Sequence, residues 1–164
     1  SEALSMKAMK LILSNIEKAY FEPNDLNARE ELSLASMLAG MAFSQSRTTV
    51  LHAMSFPLTN IYGLEHGFAC SLALPEVLRE NYPYNKERFE NLLKYLDFSN
   101  IEEFALKLEE IYRNIDAPLK LSEIGVEEEE IKNIAEITLN FSFYKFNPKE
   151  YDLDELIELL KKVY

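Results

Sequence analysis

Glycine is scarce in this sequence: there are four among 164 residues, alongside six prolines. A phosphate-cradling loop and a turn-rich all-β sandwich both rely on glycine for positive φ and close backbone approach, so neither is expected. Cysteine is scarcer still, and a lone Cys70 excludes an internal disulfide. No apolar run reaches the ~18 residues of a membrane span, and no charged-then-apolar leader opens the chain, which points to a soluble, cytoplasmic, reducing compartment. Basic residues are in deficit, 17 Lys and Arg against 28 Asp and Glu, leaving a net charge of −11. Nucleic-acid affinity comes mainly from cations neutralising phosphates, so neither nucleic acid nor a membrane is an expected partner.

What is present is apolar side chain, 48% of residues with 12% aromatic, enough for the core of one domain. The apolar residues recur at three- and four-residue steps, the period of amphipathic helices. This period predicts a helix over 4–20, ended by Pro23, and another over 25–46 whose Ala35, Ala39, Gly40 and Ala42 admit a close neighbour. Residues 47–81 are poor in charge and hold both histidines, the cysteine, two prolines and two glycines, so this stretch is expected to be buried. Within it Pro57 should kink or end a helix over 50–58, and Gly63 and Gly67 should bracket a connection into a helix over 68–80. Further helices follow around Phe89–Leu96, over 104–115 behind a Ser99/Glu102 capping box, over 126–141, and over 152–163 behind an Asp152/Glu155 pair. No strand, repeat or low-complexity linker is evident, which gives a single all-α domain, 1–164, of about eight helices.

Chemistry has few candidates. His52 and His66 are the only imidazoles, fourteen residues apart, and a chain bent at Pro57 and Gly63 could bring both to one point. Two imidazoles are too few for a tight divalent site, which needs three or four protein ligands. The sequence has no HExxH, no CxxC and no GxSxG to complete a zinc site or expose a nucleophilic serine. Glu65 beside His66 is expected to point away. Cys70, flanked by Ala69, Ser71 and Leu72, is expected to be an inert thiol in the packing. The acidic run at residues 127–130 fits a solvated first helical turn better than a metal site.

Several blocks carry a resemblance: Leu38-Ala39-Gly40-Met41-Ala42-Phe43-Ser44, His52-Ala53-Met54 with Pro57-Leu58, His66-Gly67, Leu74-Pro75-Glu76-Val77 ending at Asn81, the connector from Pro118 to Val126, and Asn147-Pro148. In order and spacing they resemble the C-terminal helical domain of iron-containing (group III) alcohol dehydrogenases, within the dehydroquinate synthase-like fold. The resemblance implies a metal-binding all-α domain that follows a nucleotide-binding α/β domain, with a divalent metal, Fe(II) or Zn(II), in the cleft between them. His52 and His66 match two of the family's metal ligands. The other two, an aspartate and a histidine four residues later, belong to a region the family places before Ser1, as does the site for NAD(P).

Implied with this are hydride exchange between nicotinamide and a small alcohol or aldehyde, the metal acting as Lewis acid, and a partner in the N-terminal nucleotide-binding domain. The chain by itself is then expected to be an inactive part of a longer polypeptide, exposing apolar surface that allows a homo-oligomer. Many family members carry a histidine where this sequence has Phe56, which leaves a more apolar wall to the substrate pocket. Arg47 and Thr49 replace common glycines, and the local string is similar to that of the phosphonoacetaldehyde reductase branch, where Arg47 could meet an anionic substrate, although a surface or helix-capping arginine is the commoner role.

Overall fold

The computed structural model describes all residues, 1–164, and is built of helices throughout: nine α-helices and four short 3-10 turns, without a strand. Helices α1 (Glu2–Phe21) and α2 (Leu26–Phe43) form a hairpin. Asp25 caps α2 by accepting from the Ala28 N–H at 2.8 Å. Close approach is made by alanines seven residues apart, Ala28, Ala35 and Ala42, the only buried residues of α2. Ala39 and Gly40, expected in this contact, are exposed.

Helix α3 (Val50–Tyr62) runs through Pro57 instead of ending at it. The proline lacks the N–H that would reach the Ala53 carbonyl, but it is buried in the core, where packing outweighs the missing bond. The helix stops at Gly63, whose φ of 70° is the left-handed conformation that a residue with a Cβ adopts at a cost. The next expected helix is two: α4 (His66–Ser71) and α5 (Leu74–Asn81). Pro75 stands in the first turn of α5, where its missing N–H has no helical partner to lose, so the chain restarts there and does not continue from α4.

Helices α6 (Lys86–Leu96) and α7 (Ile101–Asn114) follow. The cap of α7 is one residue later than expected: Asn100 accepts from the Glu103 N–H at 2.9 Å, and the Glu103 carboxylate accepts from the Ser99 N–H at 2.7 Å. Helix α8 (Ile131–Leu139) is entered through a 3-10 turn at Glu128–Glu130, so the acidic run is an exposed first turn, and it is followed by another at Ser142–Phe146. Helix α9 (Leu153–Lys162) carries the expected reciprocal cap, with Asp152 Oδ1 accepting from Glu155 N–H at 2.8 Å and Glu155 Oε2 accepting from Asp152 N–H at 3.1 Å.

The main core gathers Val50, Met54 and Leu58 of α3 against α5, α8 and α9, with Ile134, Leu156, Leu159 and Leu160 all without solvent exposure. A smaller core joins α6 to α7 around Leu93, Phe104, Leu108 and Ile111. Helix α1 meets this second unit across an apolar groove of about 600 Å³, with Ile12, Leu13 and Ile16 facing Leu74, Leu108 and Ile111.

A buried amide pair ties the loop after α8 to the end of α5. Asn81 donates to Asn147 Oδ1 at 3.1 Å, and Asn147 donates back to Asn81 Oδ1 at 2.7 Å and to the Lys149 carbonyl at 2.8 Å. The Lys149 N–H also donates to Asn81 Oδ1, so both buried amides are satisfied. This clamp anchors the downstream end of the Ser142–Phe146 turn.

Candidate metal centre

His52 stands in the first turn of α3 with its neighbours Val50, Ala53 and Met54 buried, so its backbone is fixed by the core while its ring stays half-buried at the rim. Ser55 Oγ donates to the His52 carbonyl at 2.7 Å. His66 opens α4 and is exposed, in contrast to the buried setting expected for this stretch. The tight connection through Gly63 folds α4 back onto α3, and the two rings stand edge to face with centroids 4.9 Å apart. Neither helix alone brings the imidazoles together; the packing of α4 on α3 does.

The same packing brings in a third group. Cys70 lies four residues after His66, one turn along the same face of α4. Its Sγ is 3.5 Å from His52 Nδ1 and 3.6 Å from His66 Nε2. Expected as an inert thiol in the packing, it is half-buried with its sulfur turned to both histidines. The His-x-x-x-Cys spacing is the sequence signal that marks it, since positions i and i+4 share a helix face. His52, His66 and Cys70 offer one donor atom each within 4.8 Å of one another, and Glu65 is not among them. Two neutral nitrogens and a sulfur fit a borderline divalent ion, and partial exposure leaves it a way in.

Electrostatics at the group follow from burial. Loss of water holds the His52 imidazole below its ordinary value, and the charge His66 would carry pushes it the same way. Burial pushes the Cys70 thiol up, with the Ser55 hydroxyl opposing it.

An aromatic wall completes the site. Phe56, one turn after His52, meets the imidazole edge-on at 5.6 Å and stacks on Phe141 at 4.5 Å. Phe143 approaches His52 at 5.9 Å from the turn that the Asn81–Asn147 clamp anchors. No local pattern of the sequence ties Phe141 or Phe143 to Phe56; they join it only through tertiary packing. Arg47 does not enter this group: exposed in the loop before α3, it lies with its guanidinium 5.4 Å over the Phe146 ring and lines a different groove with Thr49 and Arg88.

No helix is long and apolar enough to cross a membrane. Among known proteins the chain is similar to 1,3-propanediol dehydrogenase of Citrobacter freundii, 30% identical over 172 residues, which takes in 100% of this chain and 44% of that one. Lactaldehyde reductase of Escherichia coli (strain K12) is 28% identical over 170 residues, 97% of this chain and 43% of its own. The solved structure of sulfoacetaldehyde reductase from Bifidobacterium kashiwanohense in complex with NAD+ superposes with a TM-score of 0.93 at 30% identity, covering 98% of this chain and 43% of that one. The chain therefore spans less than half the length of these relatives. The family model described as the C-terminal part of the Fe-containing alcohol dehydrogenase family matches residues 1–164. With all of its residues matched and its helices arranged as in these reductases and dehydrogenases, the chain belongs to the iron-containing alcohol dehydrogenase family.

Proposed function

We propose that this chain is the metal-binding part of an NAD(P)-dependent alcohol dehydrogenase or aldehyde reductase, with His52 and His66 as two ligands of Fe(II) or Zn(II). The observation that carries the reading is the convergence of two imidazoles from separate helices at 4.9 Å, at a rim that solvent reaches. When bound, the ion supplies Lewis acidity for hydride exchange between a nicotinamide and a carbonyl group.

The chain's own residues prepare that site. Helix α3, locked by Val50, Met54 and Leu58 in the core, fixes the direction of His52. Phe56 and Phe143 form an apolar wall that keeps water off one side of it and would face a small alcohol or aldehyde. Arg47 is left outside the pocket in this proposal.

The site for NAD(P) and further metal ligands are proposed to come from a nucleotide-binding domain of the whole protein, a reading supported by the relatives being more than twice as long as the matched region. The exposed Met37, Met41 and Phe43 of α2 are proposed to meet that domain. On this view the chain alone binds metal and reduces no aldehyde.

Titration of the purified chain with Zn(II) tests the assignment. One ion per chain is expected, with affinity falling at least ~100-fold in His52→Ala and in His66→Ala, more than outer-sphere changes typically cause. Unchanged uptake in both variants would overturn it.

A further inference from the structure

We infer that the apolar groove beside α1 is the seat of a further helix, the one that directly precedes Ser1 in the whole protein, lying antiparallel to α1. The inference goes beyond the metal reading and shares with it only the placing of this chain within a longer polypeptide. Helix α1 carries two apolar faces. Ala8 and Leu11 are buried against α2, whereas Met9, Ile12, Leu13 and Ile16 line the groove, where Met9 and Ile12 are still 37% and 39% exposed. A helix at the edge of a bundle needs one apolar stripe; a second, on another side, is the pattern of a helix packed between two others.

The shape suits a helix. The groove of about 600 Å³ is continued toward Ser1 by a cavity of about 440 Å³, and the two share Met9 and Leu92. Together they follow α1 from Ser1 to Ile16, about 20 Å, which is some four turns of helix at ~1.5 Å per residue. Thirteen of the sixteen residues lining the larger part are hydrophobic, so an occupant gains most by laying an apolar face along it.

Charge sets the direction. Arg47 and Arg88 line the end beside Ser1, where Glu2 at 3.4 Å from Arg88 offsets one of them, and Glu65 lines only the part away from that end. A helix running opposite to α1 brings the negative end of its dipole to the arginines and the positive end to Glu65. A short turn into Ser1 allows the same direction, as in the hairpin of α1 and α2. Seated there, the helix backs α4, whose Gly67 and Phe68 line the groove while His66 and Cys70 turn to His52.

The test is titration of the purified, metal-free chain with a peptide of the ~20 residues that precede Ser1 in the whole protein, long enough to fill the groove. Expected are a one-to-one complex, displacement of an apolar dye, and more helical circular dichroism than the sum of the parts. Ile12→Asp and Met9→Asp, at half-exposed positions, should each keep the helical signal of the chain and weaken peptide binding at least ~10-fold. Leu26→Asp, 80% exposed at the start of α2, should leave binding unchanged.

No peptide binding, or binding that both groove variants leave intact, would overturn the inference. So would light scattering that shows a dimer of the chain which Ile12→Asp separates, since a second copy would then be the occupant. With no metal in any of these measurements, their failure leaves the histidine assignment where the Zn(II) titration puts it.

Discussion

Helices α2 and α3 are both rich in apolar residues, and their surroundings differ completely. In α3 the large side chains Met54 and Leu58 have no solvent exposure and pack against α8 and α9. In α2 the buried residues are three alanines, while Met37, Met41 and Phe43 are 56%, 51% and 55% exposed. The hairpin of α1 and α2 is closed by a small cluster of Ala8, Leu11 and Ala35, against the seventeen-residue core around α3. Apolar content therefore decides helix formation in both, but not which side finds a partner. His52 stands on the helix whose backbone is held rigidly, where the direction of a side chain can be kept; the hairpin offers surface.

The contrast can be broken by mutation. Leu159→Ala, in the main core, should cost about 2–5 kcal/mol of unfolding free energy because it leaves a cavity among side chains that have little room to collapse. Urea denaturation measures it, and a loss below about 1 kcal/mol would mean that the core around α3 is looser than its burial indicates. Asn147→Ala should cost about 1–3 kcal/mol, since it strands the buried Asn81 amide. It should also loosen the turn bearing Phe143, seen as faster amide exchange over residues 142–149. The double change Met37→Ser and Met41→Ser should shift stability by no more than about 0.5 kcal/mol per site while lowering binding of an apolar dye. A large loss of stability there would show that this face is packed in solution and would erase the contrast.

Much of the molecule was legible in its sequence, and the failures share a cause. Helix periodicity and the Asp152/Glu155 cap are local, and the structure agrees with them. Pro57 and Pro75 show the limit of local reasoning: both remove an N–H, but one is absorbed inside a buried helix and the other starts a new one. Bends at Pro57 and Gly63 are what the sequence offers for bringing His52 to His66, and of the two Gly63 makes the turn while α3 continues through Pro57. For Cys70 the helical face can be read from spacing, whereas what that face meets depends on how α4 crosses α3. Phe141 and Phe143 join the wall for the same reason, through a turn fixed by an amide pair whose partners are 66 positions apart.

That amide pair, and the burial of α3 by α9, also order events in time. A ribosome makes α3 and α4 long before it makes the Asn147 loop or α9, so His52 and His66 emerge on helices with their main packing partners still to come. Local contacts between α1 and α2 can close early, whereas the α3 core must wait for contacts of high sequence separation. The full burial of the helix that carries His52 is thus expected among the later features of the domain to form, once α8 and α9 have been made.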